Sequence, residues 1–583
     1  MGDRSADRAR VARDRFLLYA VAAVVTVVVL APLVAPGYVL RYDMVFVPRQ
    51  PLNWELVAPA QGLPRAVPID AVVSVLTQLV PGWVVQRIAL GGVILLAAVG
   101  AGRLVPTERI GVRLLAAVGY AWTPYLAERL LIGQWGLLVG YAALPWLVRA
   151  GLELRAGRAG AVPRVLLAAA PAAITPTGGL IAFGVVSLLA PQRGRWREST
   201  VAVVGVALLN APWVTAALVT EAGGTSDPAG VAAFAARGEN WAGPLAALLG
   251  TGGIWSAQAT PASRALPLVP LVTLVLLALA GAGFALLRRR LPPGASTRLL
   301  VLAGAGFLLA VLGAVPGTAD VLRWAVAQLP GAGLLRDGQK FLAPYALLLV
   351  VCVALGAERL VTRVERTNRE VAGVVLGGVL LLPVAAMPDL AFGGAGRLWP
   401  VSYPADWQVV AGRLADDPGG EVLVLPLSGY RAYPWNAGRT VLDPAPRYLP
   451  ATVLIDDTLR VGDVAVTGEN MRLREVRHLL GAGRPAVETG VRWVLVQQHR
   501  ADQVDPATLT GLEVVHQGTF LALYRNPVVP PSSVVVSPAR WAVVVAFAIA
   551  VAVVVAAMFR RYASGLLRGN LRSEVQTLED WHA

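Results

Sequence analysis

FLLYAVAAVVTVVVLAPLVAP, residues 16–36, runs for twenty-one residues without a charge. A helix rises about 1.5 Å per residue, so this stretch reaches across the ~30 Å hydrocarbon core of a bilayer. Five arginines precede it in residues 1–15. The run is too long for a signal-peptide core and lacks a small-x-small cleavage end. It reads as an uncleaved first span with the N-terminus on the arginine-rich side.

The same pattern repeats along all 583 residues, which are 56% hydrophobic with a mean hydropathy of +0.61. A soluble domain does not sustain such runs. In lipid a span must close its own backbone hydrogen bonds, and these runs are too long and continuous for barrel strands. The fold class expected is therefore a polytopic α-helical membrane protein of about twelve spans with a small extracytoplasmic α/β domain. The expected domains are a transmembrane bundle over 1–388, the outer domain over 389–537, and a final transmembrane helix and cytoplasmic tail over 538–583.

The net charge is +15, and Lys340 is the sole lysine. The arginines cluster in short loops around 103–113, 149–164, 193–197, 288–290, 359–369 and 560–561. With about twelve spans these loops all fall on one side. That is the positive-inside pattern, so the charge is no sign of a nucleic-acid partner. It places both termini in the cytoplasm and 389–537 outside the cell membrane. One cysteine, Cys352, excludes an intrachain disulfide, and no HExxH zinc motif is present. In 165–190 the break ITPTGG splits the run into two short spans. In 389–537, EVLVLPL (421–427), VRWVLVQ (491–497) and FLALYRN (520–526) read as strands, and MRLREVRHLLGAG (471–483) as a helix.

RYDMVFVPRQPL (41–52) follows the first span. A carboxylate just outside the membrane is placed to act as general base on a sugar hydroxyl, with cations holding a leaving phosphate. Asp43 is the candidate base, and Arg41 and Arg49 are candidate cations. The competing reading is an ordinary interfacial Asp beside a snorkelling Arg. AVPIDAVVSVLTQLVPGW (66–83) reads as an interfacial helix with Asp70 as a first-turn acid. Glu128 follows an aromatic group that includes Trp122 and Tyr125, which reads as an aromatic belt or as a sugar-stacking platform. The loop 429–450, GYRAYPWNAGRTVLDPAPRYLP, either binds sugar or packs the outer domain onto the bundle.

PGWVVQRIAL (81–90), RLLAAVGYAWTPYLAERL (113–130), WGLLVGYAALPWLV (135–148) and LRDGQKFLAPYALLL (335–349) resemble the transmembrane region of the mycobacterial terminal arabinofuranosyltransferase D family. Its members are polytopic glycosyltransferases of the C superfamily. RYDMVFVP resembles the family's Asp-containing stretch, with Asp43 at the matching place, while a second family acid falls at Val47. The resemblance covers about residues 16–390. It makes 1–388 a glycosyltransferase-like bundle. It implies a polyprenyl-phosphate sugar donor, arabinofuranose among the sugars, inversion at the anomeric carbon, and a glycan or lipoglycan acceptor of an actinobacterial cell envelope. The superfamily often carries a divalent metal near its acidic motif. With one clear acid here, no metal ligand is assigned. Arg87, at the outer end of the second span, and Arg336 with Lys340, at the entry to the tenth, suit a donor phosphate.

Two rival classes remain open at this stage. A lipid-linked-sugar transporter or flippase fits twelve spans, but the span centres lack the ionisable residues of ion-coupled carriers. A catalytically silent scaffold of envelope assembly fits the missing second acid.

Overall fold

The structure is a computed structural model that describes residues 2–531 and 537–581. Residues 532–536 of the expected outer domain and 582–583 of the tail lie outside the described residues. Among those described, nine helices are long and apolar enough to cross a membrane: Asp7–Val34, Gly82–Leu104, Trp135–Arg155, Trp196–Val219, Val269–Arg290, Ala295–Leu312, Gly338–Glu365, Arg369–Ala386 and Pro538–Ala563. The three other segments expected as spans are built from shorter helices. One is Ile110–Ala121 followed by Pro124–Leu131; the other two are Ala161–Ala169 and Pro176–Leu189.

The breaks have local causes. Thr123 and Thr175 each stand at a helix N-terminus with proline next, and each accepts from a backbone N–H three residues on, Leu126 or Gly178. A hydroxyl cap and a proline at the first helical position both favour starting a new helix there. Gly338–Glu365 is the centre of the bundle, with 78% of its apolar window buried, against 6% for Arg369–Ala386 at the edge. Ile69–Leu79 buries Ile69, Ala71 and Val73 and exposes Val72, Val75, Leu76 and Leu79. This two-faced pattern suits a helix lying along the interface.

The segment expected as a separate α/β domain holds a five-stranded sheet. Glu421–Leu425 pairs in parallel with Thr452–Leu454 on one side and Trp493–Gln497 on the other. Leu521–Arg525 and then Glu513–Gln517 follow antiparallel. The three expected strands and the helix, Met471–Gly481, all form. Buried β-branched and leucine side chains on both faces of Trp493–Gln497 explain why those strands read as continuous apolar runs. A separate hairpin, Tyr430–Ala432 with Thr440–Leu442, reaches down to the bundle. Tyr42 N donates to Thr440 O at 2.8 Å and Leu442 N to Tyr42 O at 2.9 Å.

Candidate active site

The site begins with a tight turn. Arg41 N donates to Met44 O at 3.2 Å, Met44 N returns to Arg41 O at 2.9 Å, and Tyr42 takes a left-handed backbone, φ 44°. A non-glycine residue there costs about 1–3 kcal/mol and persists only where its surroundings fix it. Here the hairpin holds Tyr42 from one side. Gly133, φ 85°, presses from the other, so close that a Cβ on it would meet Met44 N at 2.3 Å. Only glycine fits that crossing.

The turn presents Asp43, which is half-buried. Gln134 Nε2 donates to one carboxylate oxygen at 3.1 Å, and the Tyr430 hydroxyl donates to the other at 2.5 Å. Burial first, and the charge of Asp43 second, hold the Tyr430 phenol well above its usual range. It therefore stays a donor at any working pH. Each carboxylate oxygen keeps a second lone pair for another partner.

Behind Gln134 runs a buried polar chain. Gln134 Oε1 accepts from Arg129 Nη1 at 2.7 Å. Arg129, fully buried, holds both oxygens of Asp337 at 2.7 Å and donates to Gln339 at 2.8 Å. Burial alone would raise the Asp337 carboxyl; Arg129 and Lys340 outweigh it and hold it below the usual range. Lys340 Nζ lies 3.6 Å from Asp337 and keeps 28% of its side chain exposed. It is close enough to Asp43 for the two charges to interact. Arg447, from the α/β domain, also acts on Asp43 while gripping both oxygens of Asp70 at 3.1 and 3.2 Å. Arg65 pairs with Glu469, whose other oxygen lies 3.5 Å from Arg336. Arg336 is buried, and its Nη1 has no hydrogen-bond partner among the described residues. A carboxylate thus stands among cations from four separate segments.

Several sequence expectations are redirected by this geometry. Arg41 donates to Leu131 O at 2.9 Å and to Gln258 O at 3.0 Å. Arg87 donates to the carbonyls of Leu33, Ala35, Gly37 and Trp83. Both guanidiniums tie down the chain end after the first span. The supposed sugar platform is also corrected. Trp122, Tyr125 and Glu128 are all buried, at 3%, 0% and 0% exposure. Trp122 Nε1 donates to Met387 O at 2.8 Å, and the Tyr125 hydroxyl to Lys340 O at 2.7 Å. Trp122 lines a cavity together with Arg264 and Met387, and Tyr125 stacks on Tyr141. Asp70 keeps its first-turn position and gains the Arg447 pair. The loop 429–450 packs the domain onto the bundle and, through Tyr430 and Arg447, also reaches Asp43. Neither residue stood out in the sequence, because both came from a loop 390 or so positions away.

Glu128 has another role. Its carboxyl lies close enough to that of Glu239 for the two charges to interact, and Glu128 Oε1 has no hydrogen-bond partner among the described residues. Ile254 N and Gln339 Nε2 donate to Glu128 Oε2 at 3.1 and 3.0 Å; Gly253 N and Arg264 Nε donate to Glu239 at 2.7 and 2.9 Å. Burial, then the charge of Glu239, raises Glu128 well above the carboxylate range. Burial alone would raise Glu239; the charge of Arg264, with the bonds from Arg264 and Gly253 N, outweighs it and lowers that carboxyl. Glu128→Gln should leave stability nearly unchanged, because it removes a like charge beside Glu239 and its amide can still accept from Ile254 N. Glu239→Gln strips Arg264 of its counter-charge and should cost about 1–3 kcal/mol. A group whose folded pKa is raised loses its contribution as pH rises through that pKa. Wild type should therefore lose stability as pH rises from the ordinary carboxylate range toward the raised pKa, and Glu128→Gln should flatten that slope in thermal melts across pH.

A divalent cation does not fit the residues present. Both oxygens of Asp43 already accept from neutral donors, its nearest charges are cations, and Val47 is a buried apolar side chain. Among the described residues no group of three or more His, Cys, Asp or Glu is placed to hold a metal ion.

Fold and site together define a polytopic membrane protein with a cluster of charged side chains where its helical bundle meets an α/β domain. No protein-family model matches the chain, and no curated protein does. Solved structures do. It is similar to the cryo-EM structure of arabinofuranosyltransferase AftD from mycobacteria, with a TM-score of 0.54, 19% identity, and coverage of 88% of this chain and 40% of that one. A point mutant of the same protein matches with a TM-score of 0.53 and 19% identity, over 89% of this chain and 42% of that one. The chain thus spans about two fifths of the length of these structures. The likeness shows a shared fold in that region, which is the resemblance first carried by the WVVQR, AWTPYLAERL and DGQKF segments.

Proposed function

We propose that this chain is a membrane glycosyltransferase that moves a sugar from a polyprenyl-phosphate donor to a cell-envelope glycan. The observation that carries the reading is the convergence of Asp43 with Lys340 and Arg447 from three separate segments. Asp43 takes the proton of an acceptor hydroxyl, and the freed oxygen attacks the anomeric carbon. The carbon–oxygen bond to phosphate breaks on the opposite face, which inverts the centre, and polyprenyl phosphate leaves. Its charge falls to Lys340, Arg336, Arg65 and Arg447. Gln134 and Tyr430 orient the base. The fold of arabinofuranosyltransferase AftD supports arabinofuranose among the sugars. The arginine-rich loops support a cytoplasmic face at their end of the bundle, with both termini there and 389–537 outside.

The test is transfer by the purified chain in liposomes, with polyprenyl-phosphate pentoses and hexoses as labelled donors and an envelope glycan as acceptor. Product formation with release of polyprenyl phosphate supports the reading; no product with any donor overturns it. Lys340→Gln should raise the donor KM about 10- to 100-fold, since a charge-assisted phosphate contact of about 1.5–3 kcal/mol is lost. Its kcat should fall less.

The silent-scaffold reading rests on Val47 standing where the family has its second acid. It expects envelope binding without product.

A further inference from the structure

A second feature lies at the opposite, arginine-rich end of the bundle. A narrow apolar cleft, about 450 Å³ with its open solvent included, lies between the helices Trp135–Arg155, Val269–Arg290, Ala295–Leu312 and Gly338–Glu365. Its deep end is closed by buried Leu144, Pro344 and Leu347. Its rim, at Leu104, Leu152, Leu291 and Leu299, is half-open. Pro344 and Val351 both line it, which makes it about 10 Å deep at 1.5 Å per residue. The closed end lies toward Leu144 and Pro344, and the open end toward the arginine-bearing helix ends at Arg155 and Arg290.

The rim carries unbalanced positive charge. Arg155, one turn beyond Leu152, donates to the carbonyls of Pro191 at 3.0 Å and Pro293 at 3.3 Å. Arg298, beside Leu299, donates to Leu188 O and lies close enough to act on the charge of Arg155. Among the described residues no carboxylate forms an ion pair with either one. Glu153 is committed to Arg149, Arg158 and Arg164, and Glu198 to Arg195. On the far rim Arg290 donates to Pro106 O at 2.8 Å but is neutralised by Glu358 at 2.7 Å, and Glu108 is nearby in sequence. An anion is therefore favoured on the Arg155–Arg298 side.

We infer that this cleft binds one anionic glycerophospholipid, with an acyl chain between the helices and the phosphate against Arg155 and Arg298. Charge complementarity selects the headgroup: two like-charged guanidiniums held together without an acid are relieved by a phosphate. The cleft's depth and its opening at the arginine-bearing helix ends select a lipid over a soluble ion. The inference is independent of the transfer reaction, because no residue here belongs to the Asp43 cluster.

The experiment uses the full chain, delipidated in a zwitterionic detergent. Thermal unfolding and native mass spectrometry are read while phosphatidylglycerol, phosphatidylcholine or glycerol phosphate is added. Phosphatidylglycerol should raise the melting temperature and stay bound at one copy, and phosphatidylcholine should not. Arg155→Gln with Arg298→Gln should weaken retention about tenfold or more, as two charges near the lipid surface are lost. Leu299→Trp, which fills the cleft and keeps both arginines, should also abolish retention. Equal effects of the two phospholipids, full retention in the double variant, or a response to glycerol phosphate alone would each overturn the inference.

Discussion

Asp43→Asn is expected to lower kcat for sugar transfer by about 10²- to 10⁴-fold, the usual contribution of a positioned general base, with expression and melting temperature unchanged. The fold survives because the site accommodates an amide. The Asn oxygen still accepts from Gln134 Nε2, and its NH₂ donates to the Tyr430 hydroxyl, which can accept as well as donate. What the amide cannot do is take a proton from the acceptor. The donor KM should move little, because Lys340, Arg336 and Arg447 remain. Stopped transfer with intact donor binding is the result that distinguishes a base from a structural acid. Wild-type rates from a folded Asp43→Asn protein would remove this residue from the chemistry.

The membrane architecture was legible because its signal is simple. Charge-free runs such as 16–36 must be helices in lipid, and arginine in alternate loops marks one face. The strands of the α/β domain were legible for the same reason: Val422–Leu425 and Trp493–Val496 are apolar without interruption. Single side chains at the site were harder. Asp43 stood out through its position after a span, and Lys340 through its uniqueness. Arg41 and Arg87 looked like phosphate ligands because span-end arginines can serve either a ligand or the backbone, and sequence carries no mark of which carbonyls lie nearby. Trp122, Tyr125 and Glu128 looked exposed because the two short helices over 110–131 read as one span with an outer turn. The break at Thr123-Pro124 sinks that turn into the protein. Tyr430 and Arg447 were invisible, since a contact bridging nearly four hundred residues is a fact of tertiary docking alone.

The second large effect concerns Arg129, and it tests the frame that holds the charged cluster. Arg129→Met should destabilise the protein by about 3–5 kcal/mol, because Asp337 is left as a buried charge with Lys340 as its remaining partner. Loss of the Gln134 and Gln339 bonds adds to this, since both amides are buried or nearly so and lose an acceptor's partner. The double variant Arg129→Met with Asp337→Leu should recover most of that stability, as replacing both members of a buried ion pair with apolar groups is often neutral. Thermal unfolding of the single and double variants gives the coupling directly. The recovered protein should still transfer poorly. Without Asp337, Lys340 has lost its nearest carboxylate, so the donor KM should rise while the fold stays intact. If the double variant instead transferred at wild-type rates with a wild-type KM, the buried chain from Asp43 to Lys340 would be scaffolding only, with no part in placing the cation.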